Sequence, residues 1–428
     1  MWKLNRIACC SCLLMATPAQ AGDPLDFLPD VTQADKPATL ERDGKIYTEI
    51  AANLNHGSLT GMPAGTQANG NLGLDIYRPV KLSERWRGVF NARLDLDLAP
   101  AMGLASKNAS LTLREAYVNG SVHDWDVTLG RINVRDGVAL GYNPSDVFRS
   151  GALLVHRTED PARLRESRLG VVGARLGKHT DLGEFSALLA PQLGSSPALD
   201  APQQPSWYEP RWNAVNGKGS QYYLKYTPPT RRGWYTNMVL HGAQDGSRTA
   251  AWNATNNLGQ ATVVFLELAR SRQTSLFDAG GDAARQWHTQ LASGLSYTTA
   301  TRQTLTLEYD YNGAGLGKSD WNGAWQEASA AQLGTSFAEA GRRQDPLSRH
   351  SLMGMLQWQR LLASDDDLAC LLRTSLVDYS HFTWCEWTYH KTKSEWALSL
   401  TRAGGPDRSE YAPIGQRWAL GAKARIYF

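Results

Sequence analysis

The sequence predicts an all-β protein: a single-chain, antiparallel, transmembrane β-barrel of about 18 strands. Three observations carry this. From residue 42 onward, roughly ten-residue segments alternate apolar and polar residues between turn residues. Past the first 21 residues there is no apolar run of about 18 residues, so no helical span is expected. The mean hydropathy is polar, −0.40, yet the chain holds 15 Trp and 16 Tyr, as a barrel with aromatic girdles requires.

The alternation is clean in several segments. Phe90, Ala92, Leu94, Leu96 and Leu98 oppose Asn91, Arg93, Asp95 and Asp97. Leu305, Leu307, Tyr309 and Tyr311 oppose Thr304, Thr306, Glu308 and Asp310. Tyr222, Leu224 and Tyr226 oppose Gln221, Tyr223 and Lys225, and Trp396, Leu398 and Leu400 oppose Ala397, Ser399 and Thr401. Charges at alternate positions are tolerable where that face meets water, so the interior is expected to be polar. Arg93, Asp95, Asp97, Lys225, Glu308, Asp310, Lys423 and Arg425 are the expected lumen lining, with Glu267 and Arg373 beside them. Acids and bases are mixed, so no charge selectivity is readable.

Connections alternate in length. Short turns fall near residues 79–84, 122–124, 177–183, 227–233, 299–302 and 363–367, and long loops near 57–69, 101–108, 135–167, 191–217, 242–247, 273–285 and 313–348. This is the pattern of short periplasmic turns and long extracellular loops. The weakest strand pair flanks Asn256-Asn257-Leu258-Gly259; without it the count falls to about 16.

The two ends add the compartment. Lys3 and Arg6, a short apolar stretch, and Ala19-Gln20-Ala21 read as a signal peptide over residues 1–21. Residues 22–41 are polar and Pro-rich and read as a periplasmic lead-in, and residues 42–428 as the barrel. At the other end Ile426, Tyr427 and Phe428 close an alternating strand on an aromatic residue, the expected recognition signal for barrel-assembly machinery. Localisation in the outer membrane follows, with its lipid and lipopolysaccharide as surroundings.

A net charge of +3 on 428 residues argues against a nucleic-acid partner. Cys370 and Cys385 fall on neighbouring expected strands, where a disulfide and two free thiols are both compatible with the pattern. No metal-ligand spacing accompanies them, and neither a metal nor a cofactor is expected. His56-Gly57-Ser58 and His156 are the nearest approach to hydrolase chemistry, and spacing places no second member beside either, so no catalytic residue is assigned.

The third long connection carries most of the functional signal. Leu140-Gly-Tyr-Asn-Pro-Ser-Asp-Val-Phe148 mixes apolar and turn residues, as a packed loop does. Folded inward, it would place Asp146, Arg149, His156, Arg157 and Arg163 at a constriction, where charged rings select permeants. Just before it, Glu115 and Arg131 share the apparent lipid face of Leu113 and Leu129; either a β-bulge turns both inward to pair in the lumen, or both lie near a membrane interface.

Gly130-Arg131 followed by Asn143-Pro144-Ser145-Asp146 resembles a Gly-Arg … Asn-Pro-x-Asp stretch in porin-type and export-type outer-membrane barrels. Those commonly carry Trp-Gly mid-stretch, where Asp136-Gly137 stands here. A barrel of about 18 strands has a lumen too wide for side chains to fill. A channel passing small solutes or ions through a water-filled lumen narrowed by the third loop is therefore expected, with an export conduit for a polymer or lipid as the alternative. No enzyme is expected, and permeant and oligomeric state stay open.

Overall fold

The computed structural model describes residues 44–57, 65–98, 109–153, 158–195, 211–217, 219–278, 283–411 and 418–428. Eighteen strands form one antiparallel sheet. They are β1 (Lys45–Gly57), β2 (Gly65–Lys81), β3 (Trp86–Leu98), β4 (Ala109–Val122), β5 (Trp125–Ile132), β6 (Val171–Thr180), β7 (Gly183–Ala190), β8 (Gln221–Thr227) and β9 (Trp234–Ala243). The second half comprises β10 (Arg248–Leu258), β11 (Thr262–Gln273), β12 (Gln286–Thr298), β13 (Gln303–Asn312), β14 (His350–Gln359), β15 (Asp366–Ser375), β16 (His381–Lys391), β17 (Ser394–Gly404) and β18 (Trp418–Tyr427). Each strand pairs with its neighbours in the chain, and β18 pairs with β1 over Tyr47↔Tyr427 to His56↔Trp418, closing the barrel. Closure removes both sheet edges, so the wall's backbone groups are satisfied within the ladder. The doubtful pair around Gly259 exists as β10 and β11, which settles the count at 18.

The alternation sorts as expected. Leu224, Leu307, Leu398 and Leu400 point outward and are exposed, while Lys225, Glu308 and Ala397 point inward and are buried. A continuous exposed apolar wall of this kind has no stable place in water and suits a lipid surround. All the long connections leave from one end of the barrel, and the turns and described chain ends lie at the other.

The charged pair on the apparent lipid face has a local cause. Between β3 and β4 the register jumps from Asn91↔Glu115 to Ala92↔Leu113, leaving Arg114 as the extra residue of a bulge. Glu115 is thereby buried and accepts a hydrogen bond from Asn91 at 2.8 Å. Next door, Gly130 adopts φ 131° and Arg131 turns in behind it, donating to the carbonyls of Leu113 (2.8 Å), Gly170 (3.1 Å) and Arg211 (3.2 Å). The bulge is as expected; the bonds that hold the two side chains run to these partners. Cys370 and Cys385 stand opposite each other on β15 and β16 and are joined by a disulfide.

A Cβ at Gly130 would lie 2.3 Å from the Ala116 carbonyl oxygen, in a backbone conformation that L side chains avoid. Gly130→Val is therefore expected to destabilise the barrel by about 2–3 kcal/mol, read as a lower urea midpoint for unfolding from detergent micelles.

Candidate functional site: a loop across the bore

Glu267 on β11 and Glu308 on β13 point into the barrel and are almost fully buried. A carboxylate so placed needs donors, and the wall's own N–H groups are committed to the ladder. The connection between β5 and β6, residues 133–170, supplies them. Val138 and Ala139 donate their backbone N–H groups to Glu267 Oε1 at 2.6 and 2.7 Å, and Ser145 Oγ donates to Oε2 at 2.7 Å. Leu140, Gly141 and Tyr142 donate theirs to the Glu308 carboxylate at 2.8, 2.9 and 2.8 Å. Five successive N–H groups thus cradle two anions in the manner of a backbone nest. Gly137 makes the approach possible: its φ is 71°, and a Cβ there would lie 2.3 Å from the Glu267 carboxylate.

A third anchor is Asp136, which meets Lys225 Nζ on β8 at 3.1 Å and accepts from the Tyr223 hydroxyl at 3.0 Å. Burial raises the Asp136 carboxyl above its ordinary pKa, and Lys225 opposes the rise. Since β8, β11 and β13 stand well around the ring from β5, these bonds carry the loop across the bore.

The loop is braced from within. Arg168 donates to Asp146 at 2.6 and 3.1 Å and to Asn133 Oδ1 at 2.8 Å. Arg165 donates to the carbonyls of Asp136 and Gly137, both at 2.9 Å, closing the outgoing arm onto the returning one. Behind it, Val134, Phe148, Ala152 and Leu169 pack with inward Leu188, Tyr223, Val239 and Ala251. Val138 and Ala139 pack with Phe265 and Ala292. This corrects the expectation of a polar interior throughout. Along β5–β11 the loop brings apolar side chains to cover inward apolar ones, each large one contributing roughly 1.5–3 kcal/mol.

The opposite wall is charged. Arg93 meets Glu49 at 2.6 Å, Asp95 at 2.9 Å and Asp75 at 3.5 Å, and Arg114 pairs with Asp75. Arg425 meets Glu49 and Glu395, each at 2.7 Å, and Lys423 meets Glu386 at 3.0 Å. The short helix α1 (Pro161–Glu166), capped by Asp160, extends Arg163 to this lattice, at 3.5 Å from Glu386 and 3.3 Å from Glu395. Loop and wall face each other here.

Above them lies the connection between β13 and β14, with helices α2 (Trp212–Asn216) to one side and α3 (Lys318–Asn322), α4 (Ala324–Glu327) and α5 (Ala330–Arg343) within it. Its end clamps the crossing loop. Arg149 donates to the Arg343 carbonyl at 2.9 Å and pairs with Asp345, and Gln344 Nε2 donates to the Arg149 carbonyl at 2.6 Å. Burial pushes the Glu339 carboxyl up, but Arg342 and Arg343 outweigh it and hold its pKa at about 2. Leu276, Leu316, Trp321, Trp325, Leu347 and Val377 give this lid its own apolar core. Glu410 ties in the last loop by accepting from the N–H groups of Leu347 and Ser348 at 2.9 and 3.2 Å. Between α5 and the crossing loop remains a cavity of about 810 Å³, bordered by Leu164, Leu333, Phe337, Arg165 and Arg373.

The expected constriction residues are thus divided. Arg163 faces the charged wall, whereas Asp146 and Arg149 are buried in pairs that hold the loop. His156 and Arg157 lie outside the described residues, as do the signal peptide and the lead-in. Of the lumen candidates, Arg93, Asp95, Lys423 and Arg425 enter the lattice, and Lys225 and Glu308 hold the loop. Asp310 is buried inside, and Asp97 is exposed near the loop end, where Asn71 donates to it at 2.9 Å. Ile426 and Phe428 are exposed outward, and Tyr427 donates to Glu395 at 3.3 Å. Sequence reasoning missed Glu49, Asp75, Arg114, Glu386 and Glu395. Strand alternation extended through Trp384–Leu398 would have found the last two.

No protein-family model matches the chain, and no curated protein matches it in sequence. Solved structures share its fold. OccK11 (OpdR) of Pseudomonas aeruginosa superposes over 90% of this chain and 96% of its own, with a TM-score of 0.52 at 10% identity. OccAB3 of Acinetobacter baumannii superposes over 90% and 99%, with a TM-score of 0.50 at 9% identity. A substituted Rh. blastica porin reaches a TM-score of 0.44 at 11% identity, too loose to add to these.

Replacing both anchors, Glu267→Ala with Glu308→Ala, is expected to free the loop while the barrel stays folded. Amides 138–142 should then lose hydrogen-exchange protection worth about 2–3 kcal/mol per anchor. Unchanged protection would refute the anchoring role. For the lid clamp, the folded pKa of Glu339 is depressed, so its stabilisation is complete above about 4.5 and is lost as pH falls through about 2. Protection in α5 should therefore persist at pH near 4 and collapse below 2, and Glu339→Gln should weaken it at neutral pH while making little difference below 2.

Proposed function

We propose that this protein is an outer-membrane channel that passes small solutes between the crossing loop and the charged wall. The observation that carries the reading is the anchoring of residues 138–142 to Glu267 and Glu308 inside the barrel. The closed barrel with an apolar exterior, the fold shared with OccK11 and OccAB3, and a signal-like segment at residues 1–21 support outer-membrane placement. On this reading the loops face outside and the turns face the periplasm.

On this reading a solute meets Arg163, Glu386, Glu395, Lys423 and Arg425, which already pair with one another across the bore. Each charge there already has an opposite partner, so the lattice offers exchangeable hydrogen bonds rather than a field of one sign. Polar solutes that can replace those bonds in turn are the expected permeants.

The purified protein in planar bilayers should give stepwise ion conductance. The Glu267→Ala, Glu308→Ala variant should conduct at least about twofold more, because the loop no longer holds its position. Arg163→Glu should shift the reversal potential towards cation preference. A folded protein that conducts neither as wild type nor with the loop released would overturn the reading.

A further inference from the structure

The outer wall carries a charged feature that the passage does not use. Arg248 on β10 stands directly opposite Arg272 on β11, and Arg270 stands opposite Ala250, two residues along. The alternate positions Ala269 and Ser271 are buried on the inner side, so the three arginines belong to the outward face, at the loop end. Arg248 and Arg270 are exposed and Arg272 is half-buried. Arg285 converges on them from the next loop. The point that a Gly246 Cβ would occupy lies 3.6 Å from Arg272 Nη1 and 4.0 Å from Arg285 Nη1.

Like charges directly opposite across a strand pair destabilise it. The contacts made by Arg270 and Arg272 are to neutral oxygens, Thr289 Oγ1 at 2.7 Å and the Gly246 carbonyl at 3.4 Å. Arg285 meets Asp245 at 3.4 Å, and that carboxylate also accepts from Ser247. The cluster therefore carries an excess of positive charge. On the same outward face, towards the barrel's middle, follow Trp252, Leu268 and Leu240, and Trp287 flanks Arg272 on β12. Guanidinium forks match phosphate oxygens geometrically, and a phosphate held at the head of an apolar band is the shape of a phospholipid or phosphorylated glycolipid.

We propose that Arg248, Arg270 and Arg272, with Arg285, bind the phosphate of an outer-leaflet glycolipid whose acyl chains lie along Trp252, Leu268 and Leu240. The inference rests on the outer-membrane reading, which places this end of the wall in the outer leaflet. A lipid rather than a free anion is favoured because the arginines continue directly into the exposed apolar wall.

The test titrates the whole barrel, in zwitterionic micelles, with diphosphoryl lipid A, and reads bound lipid by native mass spectrometry and the shift in melting temperature. The variant Arg248→Gln, Arg270→Gln, Arg272→Gln should bind at least about tenfold more weakly. Arg402→Gln, an outward arginine at the same end of β17, should bind as wild type does. Each single variant should show a smaller loss, which keeps the test alive if the triple variant folds poorly. Equal binding by folded variant and wild type, or equal binding of dephosphorylated lipid, would overturn the proposal. Inorganic phosphate alone producing the full shift would also overturn it, in favour of a soluble anion. Bilayer conductance of the triple variant should stay at the wild-type level, so loss of lipid binding and failure of the channel reading are separately visible.

Discussion

A carboxylate pointing into a closed barrel has to find its hydrogen-bond donors inside that barrel, and the arrangement of this protein's interior follows from that requirement. The ladder consumes the wall's backbone N–H groups, so Glu267 and Glu308 need donors from elsewhere. A connection that crosses the bore with its N–H groups turned towards them satisfies both at once. Its course then determines which part of the interior is filled with apolar side chains and which part remains charged.

The filled half and the charged half use inward positions in opposite ways. Along β5–β11 the inward residues include Leu188, Tyr223, Val239 and Ala251, which lose water when the loop covers them. Along β16–β18 and β1–β4 they are Glu386, Glu395, Lys423, Arg425, Glu49, Asp75 and Arg93, which would be costly to cover with anything apolar. The loop therefore leans to the first side, and presents Arg163 to the second.

Much of this was legible in the sequence. Period-two alternation alone reveals which residues face in, because a charge at Arg93, Glu308 or Arg425 flanked by large apolar neighbours has one sensible direction. The bulge near Glu115 was legible for the same reason, since the alternation breaks there. What alternation cannot show is where an inward charge finds its partner. Asp146 and Arg149 look like permeant-facing charges in the sequence, and their commitment to Arg168 and Asp345 depends on a loop path fixed by residues over a hundred positions away. The apolar cluster was hidden likewise: Val239 or Ala251 facing inward says nothing about packing until Phe148 arrives to cover it.

The lid and the crossing loop cannot be treated as independent parts. Arg149 belongs to the loop, yet its partners Asp345 and the Arg343 carbonyl belong to the lid, and all are buried. Lifting the lid alone would strand an arginine on one side and a carboxylate on the other, at a cost of about 3–5 kcal/mol for breaking a buried pair. The loop in turn is held by Glu267, Glu308 and Lys225 on three different strands. Displacement of the lid is therefore resisted through the loop by the barrel wall itself, and easy motion is confined to parts of the crown outside this chain of contacts. On the proposed channel reading, a solute would exchange bonds with the wall that Arg163 faces while this clamp stays closed.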